Sequence, residues 1–272
     1  VSDSTLATIG VFDSGIGGLT VLHEALRQVP THHYVYLADS ANAPYGERSA
    51  DWVAKRSLDL CHWLAKEGCQ AIVVACNTAT AEAIAQIRQE LPAIPIIGVE
   101  PGIKPAATRS AKQKVGVLAT QNTLKSDKFN ALLNNLKGDC EFISQAGLGL
   151  VPLIENGQIH SQETEELLRQ HLAGMQAAGI DTLVLGCTHY PFLLPLIRKI
   201  VGEDLQIIDT SEAVVKQLAR KLEEYELLQS APPRTIRLYS TLDADALLDL
   251  AKQLIPEAFS HHVVETATVA IL

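Results

Sequence analysis

The chain has 272 residues, 22 lysines and arginines against 31 acids, and a formal charge of −9. With 47% of residues apolar and 19% charged, it is not a disordered chain, and its length suits two medium α/β lobes. The acidic balance argues against a nucleic-acid-binding face, and no apolar run is long enough to span a bilayer.

The first residues, Val1 to Thr8, carry neither a basic n-region nor a long apolar h-region, so no export signal is expected. Five cysteines without CxxC spacing suit neither a disulfide framework nor a zinc ribbon. The expected compartment is the cytosol, where thiols stay reduced.

Apolar runs then alternate with helical patterns to the end of the chain. Ala7–Phe12 and Tyr34–Ala38 read as strands, and Asp51–Lys66 as a helix with apolar residues at three- and four-residue spacing. Strand Ala71–Ala75, helix Thr80–Leu91 and strand Ile94–Val99 follow. Strands Lys114–Leu118 and Glu141–Ser144 lead to helix Gln162–Ala178 and strand Thr182–Leu185. Strand Gln206–Ile208, helix Glu212–Glu224, strand Ile236–Ser240 and a weaker strand His262–Glu265 complete the series. The strands are continuous apolar runs rather than alternating ones, as expected when helices cover both sheet faces. The predicted fold is α/β with mostly parallel sheets.

Two segments repeat. Ala71 to Thr78 and Thr182 to His189 each read as an apolar strand, a small residue, a cysteine and two polar residues. Ile9 to Ser14 resembles Val115 to Thr120, at nearly the same separation along the chain. This predicts two pseudo-symmetric, doubly wound lobes with a cleft between them. Residues 1–99 plus 210–272 would form the first, and residues 100–209 the second. The Pro-rich stretch Pro92–Pro105 and the segment Ile208–Glu212 are the natural crossings.

In such sheets ligands sit at the carboxyl ends of the strands. The residues there include Asp13-Ser14-Gly15, Asp39, Cys76-Asn77-Thr78, Ala119-Thr120 and Cys187-Thr188-His189. The glycine turn Gly15, Gly17, Gly18 fails the dinucleotide pattern, whose third position is Thr20, and lacks the Gly-Lys-Ser/Thr of a P-loop. Two readings survive. Its N–H groups could face an anion, or it could be a tight turn that lets a helix pack on the sheet.

An isolated cysteine is usually a small buried hydrophobe, and Cys61 and Cys69, in or next to a helix, fit that reading, as does Cys140. Cys76 and Cys187 differ. Each follows a buried strand and precedes a helix, expected to start near Thr80 and near Phe192, whose dipole would favour the thiolate. An acyl-transfer nucleophile needs one thiol, and a redox pair needs two in bonding distance. Moving a proton from one face of a carbon to the other needs two bases, which suits a duplicated lobe.

At this point the chain resembles the glutamate racemases of the aspartate/glutamate racemase family. The residues that carry the resemblance are Gly10 to Leu19, Tyr36 to Ser40, Pro44 to Gly46, Val74 to Thr80, Gly98 to Pro101, Gly116 to Thr120 and Leu185 to Pro191. The resemblance implies cofactor-independent interconversion of L- and D-glutamate, feeding bacterial peptidoglycan, by an enzyme that is often a homodimer. It implies Cys76 and Cys187 as the two acid/bases, Asp13 assisting Cys76 and His189 assisting Cys187. It also implies substrate contacts from Asp13, Ser14, Tyr45, Gly46, Asn77, Thr78, Thr188 and His189. Thr120 matches a position facing the substrate carboxylate, and Glu155 an acid that supports His189.

Pyridoxal phosphate chemistry needs a Schiff-base lysine, and no lysine stands at a strand's carboxyl end; Lys114 opens its strand. No histidine shows metal-ligand spacing. Three rivals remain. An aspartate racemase would usually carry an acid where His189 stands. A binding protein would not need both cysteines. A thiol-redox enzyme would be expected to show CxxC.

Overall fold

The computed structural model describes residues 7–136, 138, 140–228, 235–260 and 262–271. Residues 1–6, most of the segment read for an export signal, and His261 lie outside them.

The chain runs β1 (Thr8–Asp13), α1 (Leu19–Gln28), β2 (His33–Ala38), α2 (Ala50–Lys66), β3 (Cys69–Val74), α3 (Asn77–Glu90), β4 (Ile96–Gly98) and α4 (Ile103–Arg109). It continues through β5 (Lys114–Ala119), α5 (Gln121–Lys125), α6 (Asp127–Asn134), β6 (Glu141–Ala146), α7 (Leu150–Glu155), α8 (Gln162–Ala177) and β7 (Thr182–Gly186). Then come α9 (Leu194–Val201), β8 (Gln206–Ile208), α10 (Ser211–Glu224), β9 (Thr235–Ser240), α11 (Ala244–Leu254) and β10 (Val263–Thr268). Several helices start where the sequence supplies an N-cap. Ser49 accepts from the Trp52 N–H, Ser161 from Thr164, and Asp243 from Asp245 and Ala246. Glu163 and Glu165 lie in the first turn of α8, where acids suit the helix dipole.

Two sheets form, with orders β10-β9-β2-β1-β3-β4 and β6-β5-β7-β8. Every strand pairing among the described residues is parallel. The order β2-β1-β3-β4 recurs as β6-β5-β7-β8. The strands that echo each other in sequence, β1 with β5 and β3 with β7, therefore hold equivalent places. The central strands are buried along almost their whole length, whereas the edge strands β6 and β10 are half-exposed. After β8 the chain returns to the first sheet: α10 packs on α1, β9 pairs with β2, and β10 with β9. One apolar cluster includes Ile9, Leu19 and Tyr36 from the first sheet's side and Leu118, Leu185 and Tyr190 from the second's. No helix among the described residues is long and apolar enough to cross a membrane.

Several local expectations need correction. β4 spans only Ile96–Gly98, because Pro95 cannot donate to the ladder. Helix α3 starts at Asn77 rather than Thr80, with Cys76 itself as N-cap. After Cys187 a 3-10 turn, Tyr190–Leu193, precedes α9, so the helix begins at Leu194 rather than near Phe192. Cys69 is buried as expected but opens β3, and Cys140 is only half-buried.

Candidate active site

The carboxyl ends of β1, β3 and β7 bring Asp13, Cys76 and Cys187 together in a buried cluster. Both cysteines are 6% exposed and Asp13 is fully buried. Cys76 Sγ lies 3.9 Å from Ser14 Oγ. Ser14 follows Asp13, whose Oδ1 accepts a hydrogen bond from Thr188 Oγ1 at 3.3 Å. Thr188 in turn follows Cys187. A short chain of contacts therefore links the two thiols through residues of both sheets.

Cys187 Sγ is 3.7 Å from His189 Nδ1, and His189 Nε2 is 2.5 Å from Glu155 Oε1. The same Nε2 stands 4.0 Å from Asp13 Oδ2. His189 and Glu155 thus form a hydrogen-bonded pair behind Cys187, with Asp13 alongside.

The charges in this cluster are strongly coupled. Burial pushes the Cys76 thiol well up, and the nearby Asp13 charge pushes it further. The Ala79 N–H, in the first turn of α3, and the Ser14 hydroxyl oppose that rise. A charge on Cys187 also raises it, so the two sulfurs feel each other. Burial raises Asp13, against the pull of His189 and of the Gly15 N–H. For His189, burial disfavours the charged ring, but bonding to Cys187 and Glu155 outweighs it and holds the ring well above its usual value.

The glycine turn explains how these groups come so close. A Cβ on Gly15 would collide with the Glu155 carboxylate, and one on Gly17 would lie 2.2 Å from His189 Nδ1. The turn's N–H groups face the protein's own anions: Gly15 donates to Asp13 at 3.1 Å and Ile16 to Glu155 at 2.8 Å. Tyr36, from the Tyr36–Ser40 motif, donates to the Gly15 carbonyl at 2.7 Å. The turn is therefore a tight-packing device as well as an anion-facing one, its anions being Asp13 and Glu155.

The remaining predicted residues connect to this cluster through the start of α3, next to Cys76. Asn77, at the first position of α3, is 5% exposed, and its amide oxygen and nitrogen are buried without a hydrogen-bond partner among the described residues. Such an orphaned amide costs about 1–3 kcal/mol, which a ligand with polar groups would offset. Thr78 and Thr120 hydroxyls meet at 2.9 Å across the two sheets' helices, and Thr120 donates on to Thr123. Gly46 backs onto Thr120, where a Cβ would come within 2.9 Å of the threonine's own. The Tyr45 hydroxyl is taken up by Asp39, to which it donates at 2.5 Å, leaving its backbone as the part free to face a ligand. Asp39 is fully buried and paired with Arg56 at 2.7 Å. Sequence reasoning marked Asp39 as a strand-end acid but missed Arg56, whose only signal was a cation on an otherwise core-facing part of α2. No cluster of metal ligands exists among the described residues.

Two parallel sheets of repeated order thus each carry a cysteine after an equivalent strand. The family model described as Asp/Glu/Hydantoin racemase matches residues 12–218, and the chain belongs to that family. A glutamate racemase of Cupriavidus pinatubonensis is 52% identical over 267 residues, 97% of this chain and 96% of that one. Glutamate racemase from Bacillus anthracis superposes with a TM-score of 0.86 at 32% identity, covering 97% of this chain and 98% of that one. The enzyme from Francisella tularensis, solved in complex with D-glutamate, gives 0.84 at 29% identity over 97% and 98%.

Proposed function

We propose that the protein interconverts L- and D-glutamate by two-base proton transfer at Cα, with Cys76 and Cys187 as the bases. The observation that carries this reading is the convergence of two buried thiols, one from each sheet, on one polar cluster. The relatives' names supply glutamate as the substrate. In each direction one thiolate takes the α-proton and becomes a thiol. The opposite thiol gives its proton to the other face of the carbon and becomes a thiolate. The next turnover in the same direction needs the protons restored, and each cysteine has a partner for this: Asp13 beside Cys76, and His189 with Glu155 behind Cys187.

The α-proton is far less acidic than a thiol, so the developing charge must be stabilised. Asn77 and the hydroxyls of Ser14, Thr78, Thr120 and Thr188 are donors for the substrate carboxylates, together with the backbone of Tyr45 and Gly46. Such preorganised donors in a dry site each contribute a few kcal/mol. In this reading residues 1–99 plus 210–272 form one lobe and residues 100–209 the other, and closure between them excludes water. The resemblance to glutamate racemases extends the reading to a cytoplasmic homodimer that supplies D-glutamate for peptidoglycan.

The test uses L-glutamate in D2O without added cofactor, followed by NMR at Cα and by circular dichroism. Deuterium should enter at Cα as optical activity disappears. Cys76→Ala and Cys187→Ala should each stop racemisation while the far-ultraviolet spectrum stays native. Full activity in either variant would sink the two-base mechanism, and no exchange by the wild type would sink the racemase reading.

A further inference from the structure

The Tyr45–Glu47 turn belongs to the first sheet's half of the chain, yet two of the hydrogen bonds on it come from the other half. Asn122, on α5, donates through Nδ2 to the Tyr45 carbonyl at 3.0 Å and to the Arg48 carbonyl at 2.6 Å. A side-chain amide has two N–H donors, and here each has its own carbonyl.

The turn is anchored firmly on its own side. Tyr45 donates to Asp39, and Asp39 also accepts two bonds from Arg56, at 2.9 and 2.7 Å, and one from Thr241 at 3.0 Å. Arg56 reaches further, to the Ile271 carbonyl. These contacts tie the turn to β2, α2 and the segments that follow β9 and β10. A pull on the turn's carbonyls is therefore transmitted to the whole first lobe. The other polar bridge near this point, Thr78 to Thr120, joins two hydroxyls that the proposed substrate would claim. The Asn122 contacts involve no side chain assigned to substrate, and they also hold the Tyr45–Gly46 peptide group whose backbone faces it in that reading.

We propose that Asn122 is a positioning residue that clasps the two lobes shut over the active site. This rests on the racemase reading above. The clasp is formed by the chain alone, so it raises the population of the closed, binding-competent arrangement before substrate arrives. A ligand's apparent affinity falls in proportion to the fraction of protein that is competent to bind it. Losing two hydrogen bonds of ordinary net strength changes such an equilibrium about tenfold or more. At saturating substrate the lobes close regardless, so the chemical step keeps its rate.

The experiment compares wild type, Asn122→Ala and the near-isosteric Asn122→Leu, which keeps the volume, adds no charge and removes both donors. KM and kcat are measured in both directions, with thermal unfolding as the check on folding. KM should rise about tenfold for L- and for D-glutamate in both variants, with kcat within twofold of wild type. A space-filling role would leave Asn122→Leu unchanged. An unshifted KM in the folded variants, or a loss confined to kcat, overturns the clasp. If the wild type itself does not turn over glutamate, the racemase reading falls and takes the clasp with it. A competent wild type with unshifted variants removes the clasp alone.

Discussion

Gly17→Ala is a sensitive probe of the hydrogen-bonded pair behind Cys187. The added Cβ would lie 2.2 Å from His189 Nδ1, 2.6 Å from Cε1 and 2.8 Å from Cγ, whereas ordinary contact begins near 3.4 Å. The ring must therefore retreat by about 1 Å or more, the difference between 3.4 and 2.2 Å. It cannot do so freely. It is 2% exposed, its Nε2 is tied to Glu155, and its Nδ1 faces Cys187. A misplacement of this size typically costs ~10²-fold in rate, or about 2.7 kcal/mol of barrier. The backbone is not the obstacle, since Gly17 is absent from the glycines with positive φ. The fold should survive, with an overpacking cost of ~1–3 kcal/mol. Racemisation followed by circular dichroism should show kcat/KM down about 100-fold in a variant that still unfolds cooperatively. Gly174→Ala, on α8 with nothing within 4 Å of its added Cβ, should stay fully active. A folded Gly17→Ala enzyme within about threefold of wild type would refute the placement of His189 as Cys187's proton partner, because the ring would then tolerate a ~1 Å displacement without loss.

Two further outcomes follow from the buried charges. Arg56→Met leaves Asp39 fully buried without its cation, and should cost about 3–5 kcal/mol. That would lower the thermal midpoint by on the order of 10 °C, with partial recovery when Asp39→Asn is added. A double variant no more stable than Arg56→Met would contradict this. The second outcome concerns pH. His189 is held above its unfolded value by Cys187 and Glu155 against burial, so its contribution is complete below pH ~6.5. That contribution disappears as pH rises through the raised value. The midpoint gap between wild type and Glu155→Gln should therefore be widest on the acid side of neutrality and shrink in alkali. A gap that grows towards high pH would show that the bond to Glu155 does not hold the ring protonated.

Much of the architecture was legible in the residues. Continuous apolar runs such as Ile9–Phe12 and Leu183–Leu185 can only be buried on both faces, which requires helices on both sides and parallel pairing. The echo between the Cys76 and Cys187 segments carried the repeat, and equivalent strand positions in the two sheets match it. Helix starts were less legible where local chemistry competed. Cys76 caps α3 without a typical capping side chain, and Pro191 with Pro195 delays α9 behind a 3-10 turn. Both are set by the backbone around the thiols rather than by apolar periodicity.

The sequence by itself determined which reactive groups exist and that Asp13, Cys76 and Cys187 stand at the ends of buried strands, because apolar pattern and residue order are local properties. What only the tertiary structure decided is who touches whom. Glu155 comes from α7, more than a hundred residues after the turn whose Ile16 N–H it accepts. Asn122 and Arg56 likewise act through partners distant in the chain. Those pairings depend on how the two sheets pack and on the space left by Gly15 and Gly17, and no window of sequence contains both sides of such a contact.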